Sequence, residues 1–205
     1  MDAFVDFVVR QIYADARCDP TQATPTPELA SALFGPTSIH RVSSESEFES
    51  CLAKEPGNDA LVIHVPRSLT AWQVNHRVGQ QVVKWYLMRH GYDGAQVDPV
   101  VRRIAAAVCV PTPAFERARE RFGDSLPALS EHFRVSQSLM ALRLAECAGY
   151  PTALRTEKQI IVRGGHWAWP VTEFEWAELF RRARAIGLIV QHLNDVRGRV
   201  VVRAR

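Results

Sequence analysis

The chain has 205 residues, of which 47% are hydrophobic and 23% charged, a composition typical of a globular protein with one sizeable core. Its net charge of +3 is too small to indicate a nucleic-acid binder by itself, because such proteins concentrate basic residues on one face. The first residues are acidic where a signal peptide needs basic ones, and no apolar run is long enough for a membrane span. Four widely spaced cysteines favour a reducing compartment. We therefore expect a cytoplasmic protein with no membrane contact.

Apolar periodicity in the first half of the chain predicts four helices and one strand. The helices are expected at residues 2–17, 27–35, 45–55 and 70–89, and the strand at 60–66. The fourth helix carries apolar residues on more than one side, which indicates a central position in the fold.

The second half predicts four further helices and then a change of pattern near residue 150. The helices are expected at 98–110, 115–121, 126–133 and 136–149, followed by strands at 158–164, 187–193 and 199–205 around a helix at 172–186. We therefore predict an α+β fold, with a domain at 1–150 and a small α/β C-terminal element at 151–205.

The segments between residues 55 and 146 follow the order of a known family. Residues 75–80 read Asn-His-Arg-Val-Gly-Gln and align with a helix motif of the form A-H-E-L-G-H. Further matches follow in order: Asp98 at an acidic position, Ile104, Ala105 and Ala106 on F-A-A, Val110 and Pro111 on M-P, and Phe133, Val135, Ser136, Arg143 and Leu144 on a last segment with V-S and R-L. The chain resembles the ImmA/IrrE family of metallopeptidases, small intracellular proteases that cleave repressor-type transcription regulators. The resemblance implies a helical, zincin-like core with a small sheet.

The residues at the motif positions argue against peptide hydrolysis. A zinc peptidase needs two histidines one helical turn apart and a glutamate beside the first. Here His76 is kept, Arg77 stands at the general-base position, and Gln80 stands at the second-ligand position. A guanidinium stays protonated and cannot accept a proton, and a neutral amide is a poor zinc ligand. We therefore predict no catalytic residues and no cofactor.

A zinc site with atypical ligands is the alternative to an empty motif. Family resemblance implies Asp98 as the third ligand beside His76, and His64 on the preceding strand could approach His76. The local pattern favours a different role for Asp98, as the N-cap of a helix whose first residue is Pro99.

Two other segments are candidate binding sites. The pair of helices at 126–149 resembles a helix-turn-helix, in which Arg134, Ser136, Gln137 and Ser138 would face DNA. Trp167, Trp169 and Trp176 lie close together in the sequence, as expected either for a small core or for a protein interface.

Three functions remain open from the sequence. The leading hypothesis is a non-catalytic metallopeptidase-like protein that acts as an intracellular regulatory or protein-binding module. The alternatives are an active metal-dependent peptidase of the ImmA/IrrE type and a helix-turn-helix DNA-binding regulator. A protein partner is favoured over nucleic acid, because the helix pair at 126–149 supplies few basic residues for phosphate contacts.

Overall fold

The fold is α+β, and the chain forms two compact units. The first unit contains residues 1–123 and 131–135, and the second contains 124–130 and 136–205. The computed structural model describes residues 3–43, 52–54, 61–92, 94–149, 152–155, 160–163, 177–178, 181, 185, 189–192 and 200–203. The domain boundary predicted at residue 150 stays a prediction. None of the helices in these ranges is long and apolar enough to cross a membrane.

Among the described residues of the first unit there are five helices, and four of them lie where the periodicity predicts. They are α1 (Ala3–Asp15), α2 (Thr26–Phe34), α3 (Ala71–Arg89), α4 (Gly94–Cys109) and α5 (Thr112–Phe122). Helix α3 begins with a capping box, in which the Thr70 hydroxyl accepts from the Gln73 N–H and the Gln73 side chain accepts from the Thr70 N–H. This box fixes the register of α3, and so the face on which each of its side chains lies.

Helix α4 begins about one turn earlier than the sequence suggests. Its first residue is Gly94, so Asp98 lies inside the helix, and the prediction that Asp98 is the N-cap is wrong. Pro99 therefore lies in the second turn of α4, where its missing N–H leaves one backbone hydrogen bond of the helix unmade. Only the backbone of Asp98 is described.

A small three-stranded sheet completes the first unit. Its strands are β1 (Thr37–Val42), β2 (Leu52–Lys54) and β3 (Leu61–Pro66), in the order β1-β3-β2. Strand β1 is parallel to β3, and β2 is antiparallel to it. Strand β3 confirms the prediction at 60–66, whereas β1 was not predicted. The helix predicted at 45–55 is wrong at 52–54, because these residues pair with β3; residues 45–51 and 55 lie outside the described ranges.

Two groups of buried side chains surround α3. The first lies between α1, α4 and the second half of α3, where the Tyr13 hydroxyl also donates to the Val108 carbonyl at 2.9 Å. The second group joins α2, β3 and the first half of α3, and includes Ile63, Val78 and Val82, all fully buried. Each such side chain contributes on the order of 2 kcal/mol to folding. Helix α3 is therefore central to the first unit, as predicted.

The second unit combines a helix with an antiparallel sheet. It contains α7 (Gln137–Ala148) and the strands β4 (Thr152–Arg155), β5 (Ile160–Arg163), β6 (Ile189–His192) and β7 (Val200–Arg203) in the order β5-β4-β7-β6. Strands β5, β6 and β7 confirm the predicted ones, and β4 was not predicted. Of the helix predicted at 172–186, the described residues 177, 178 and 181 are helical, whereas residue 185 lies in a turn. Helix α6 (Leu126–Phe133) has residues in both units.

Candidate functional site

The motif histidine lies on α3 with one ring nitrogen shielded from solvent. The His76 side chain as a whole is half-buried, but its Nε2 atom is buried and has no hydrogen-bond partner among the described residues. Burial, with the nearby charges of Arg77 and Arg102, lowers the pKa of His76 from 6.5 to about 4. The imidazole is therefore neutral at physiological pH.

The two altered motif positions contact each other. The Arg77 guanidinium donates a hydrogen bond to the Gln80 side-chain oxygen at 3.0 Å, one turn along the exposed side of α3. This oxygen is the atom of Gln80 that could bind a metal ion, and a fixed positive charge already lies against it. Arg77 thus fails as a general base and also repels a divalent cation from the neighbouring position.

These donors do not fit the zinc centre of a peptidase. Such a centre needs three protein ligands, and α3 offers one imidazole and an amide oxygen bonded to a guanidinium. Within the described part of the chain, no three His, Cys, Asp or Glu residues lie close enough together to hold a metal ion. The described ring contact of His64 is with His40 on the neighbouring strand, with centroids 6.0 Å apart. The Asp98 side chain lies outside the described atoms, so its role as a ligand stays a prediction.

The glycine of the motif has a packing role. A Cβ atom built on Gly79 would lie 3.1 Å from the Cys109 sulfur, 3.2 Å from a Thr26 methyl carbon and 3.7 Å from the Ala105 carbonyl oxygen. The first two of these contacts are shorter than normal van der Waals separations, so a glycine at this position lets α3 approach Cys109 of α4 and the start of α2 closely. A glycine in the middle of a helical pattern is the signal for this role in the sequence.

Asn75, beside the motif histidine, joins three segments of the first unit. Its side-chain oxygen accepts from the Thr26 N–H at 3.0 Å, and its amide nitrogen lies 3.4 Å from the Phe133 carbonyl and 3.2 Å from the Arg134 carbonyl. Arg134 has a φ of 52°, a left-handed conformation that is uncommon for a residue with a side chain. Asn75 thus supports both the first turn of α2 and this conformation.

The proposed DNA-reading residues differ in accessibility. Ser136 is the N-cap of α7, with its hydroxyl accepting from the Leu139 N–H at 3.2 Å. Arg134 is exposed, but Gln137 and Ser138 are buried, with 6% and 5% of their surface accessible. The helix start was predicted correctly, whereas two of its side chains do not reach the surface in this conformation, as base contacts would require.

The third candidate segment is the one that contains the three tryptophans. Trp167, Trp169 and Trp176 lie outside the described residues, so their role as a small core or as a protein interface stays a prediction.

The chain is similar in fold to a protein of known structure. No model of a known protein family matches the chain, and no curated protein matches it either. A solved structure of a Mycobacterium tuberculosis transcriptional regulator superposes with a TM-score of 0.60, covering 98% of this chain and 88% of that one. The two sequences are 13% identical, so the likeness concerns the fold alone.

Proposed function

We propose that this protein is a regulator of transcription that does not hydrolyse peptide bonds. The observation that carries the proposal is the fold likeness to a transcriptional regulator over nearly the whole chain, at a TM-score of 0.60. Fold alone does not determine function, so the details of the first unit must support the same conclusion.

The part of the proposal that excludes peptide hydrolysis rests on the residues of helix α3. We propose that α3 descends from the metal-binding helix of an ImmA/IrrE-like peptidase with a zincin-like core. The hydrogen bond from Arg77 to Gln80 at 3.0 Å occupies the two positions that a base and a second ligand would need. The regulator would then act by binding rather than by cleavage.

Two modes of binding are compatible with a regulator. In the first, the chain contacts DNA, and the exposed Arg134 at the end of α6 is the best placed of the predicted residues for a phosphate contact. In the second, it binds another regulatory protein. The burial of Gln137 and Ser138 favours the second mode over base-specific reading by α7.

Selection of duplex DNA from a library of genomic fragments tests the first mode. Binding is then measured by fluorescence anisotropy over a series of salt concentrations. If Arg134 contacts a phosphate, Arg134→Ala weakens binding to all sequences alike and lowers the salt slope by about one. Arg181→Ala is the matched control, because Arg181 is an exposed arginine in a different unit, paired with Glu178 at 2.7 Å.

The results of these experiments distinguish DNA binding, protein binding and peptide hydrolysis. Fragments bound no more tightly than random DNA would contradict regulation through DNA. Cross-linking in cells followed by identification of a transcription regulator as partner would then support the second mode. Cleavage of a protein substrate that requires added zinc and is abolished in His76→Ala would contradict the proposal as a whole.

A further inference from the structure

The first unit contains an open cleft away from the α3 motif. Its volume is about 600 Å³, within the range of roughly 300 to 1,000 Å³ typical of sites for small molecules. The loop before α2, the helix α5 and the end of α6 form its walls. The side chains that matter for its chemistry are Glu28, Arg117, Arg121, Phe122, His132 and Arg134.

Three of these side chains are guanidinium groups. Arg117 and Arg121 are four residues apart on α5 and so lie on the same face of the helix, and Arg134 belongs to the segment after α6. Glu28 is the one acidic residue among the described residues that line the cleft, and Asp19 lies near Arg117 outside it. The cleft therefore has an excess of positive charge.

Two of the guanidinium groups are held in place by neighbours. Arg117 donates to the Thr21 hydroxyl at 2.9 Å, and the Arg121 guanidinium carbon lies 5.0 Å from the centroid of the Phe122 ring. Contacts of this kind reduce the conformational entropy that an arginine loses when it binds an anion. Arg134 has a left-handed backbone conformation, with its carbonyl bonded to the Asn75 amide.

His132 also lines the cleft. Partial burial and the nearby Arg121 charge lower its pKa, so the ring is neutral at physiological pH. A neutral imidazole can still donate one hydrogen bond to a bound anion.

We infer that this cleft binds a small molecule that carries a diphosphate group. Planar guanidinium groups recognise phosphate oxygens through two parallel hydrogen bonds, and three such groups match a ligand with more than one phosphate. Duplex DNA fits less well, because the cleft is concave and Glu28 on its wall would repel a continuous row of phosphates. The inference does not depend on the proposed role in transcription.

Calorimetric titration of the full chain tests the cleft with three probes: inorganic pyrophosphate, ATP and adenosine, all at constant ionic strength. We expect one saturable site for pyrophosphate and for ATP, and no binding of adenosine. Equal affinity for pyrophosphate and ATP would indicate that the cleft recognises the diphosphate group alone. Tighter binding of ATP by about tenfold or more indicates that a nucleotide provides the diphosphate.

Variants then locate the site. Arg121→Ala should weaken pyrophosphate binding by about ten- to one-hundredfold, the usual loss for a hydrogen bond to a charged group. Arg121→Lys keeps the charge but loses the two-pronged geometry, so it should recover only part of the affinity. Arg181→Ala is the control and should bind like the wild type. Thermal melting without ligand checks that every variant is folded.

Three results would overturn the inference. The first is the absence of saturable binding of pyrophosphate and ATP by the folded wild type at millimolar concentrations. The second is an equal loss of affinity in Arg181→Ala and Arg121→Ala, which would indicate diffuse attraction by surface charge. The third is displacement of pyrophosphate by duplex DNA together with loss of DNA binding in Arg121→Ala, which would make the cleft a DNA contact. DNA binding that survives in Arg121→Ala leaves the proposed function standing whatever the calorimetry shows.

Discussion

The shielded imidazole of His76 should make the stability of this protein depend on pH. In the unfolded chain the ring takes up a proton near pH 6.5, whereas burial and the charges of Arg77 and Arg102 lower its pKa in the folded chain to about 4. Between these values the unfolded chain binds more protons, so the free energy of unfolding rises with pH and falls again on acidification. The difference corresponds to about 3 kcal/mol, an upper figure because solvent reaches part of the half-buried ring.

Urea denaturation from about pH 4 to about pH 7.5 measures this contribution. His76→Met removes the titrating group and keeps an apolar side chain of similar length, so the stability of this variant relative to wild type should improve by up to about 3 kcal/mol as the pH falls. His132→Met is the comparator, because the pKa of His132 is also lowered but its side chain is more exposed than that of His76, and the effect should be much smaller. If the difference in free energy of unfolding between wild type and His76→Met stayed constant over this pH range, the reasoning would be refuted.

Three further predictions concern α3. Gly79→Ala should destabilise the protein by about 1–3 kcal/mol because the new methyl group meets the Cys109 sulfur, and a second change, Cys109→Ala, should recover part of the loss in urea denaturation. Asn75→Ala leaves buried backbone groups unpaired and should cost about 2–4 kcal/mol in the same assay; a cost below about 0.5 kcal/mol would contradict the hydrogen bonds described. Arg77→Glu combined with Gln80→His should give zinc binding detectable by calorimetry and by a rise in melting temperature with added zinc, whereas the wild type should show neither.

Elements with strong internal periodicity were predictable from the sequence, and elements that depend on a partner were not. Helix α3 has valines at 74, 78 and 82 and its own capping residues, so its local sequence contains most of what determines it. Strand β2 is three residues long and forms by pairing with β3. The local sequence around it has helical spacing, but the hydrogen bonds to the following strand outweigh that preference.

The same distinction applies to the candidate site. The sequence alone was enough to predict that Arg77 cannot act as a base, because this follows from the chemistry of the guanidinium group. That Asn75 joins three segments could not be predicted, because its partners Thr26 and Phe133 lie 49 and 58 positions away along the chain. A buried asparagine reveals its role only when those segments are placed in space.

Packing constrains the residues on the two sides of α3 to different degrees. Asn75 and Gly79 are buried and fix its distance to neighbouring segments, so changes there disturb the whole first unit. Arg77 and Gln80 lie on the more accessible side and bond mainly to each other, so packing places little constraint on them. The double variant Arg77→Glu and Gln80→His should therefore fold normally, with imidazoles at 76 and 80 one turn apart. If this folded variant gave no heat of zinc binding and no shift in melting temperature, the proposed descent of α3 from a zinc-binding helix would lose its support.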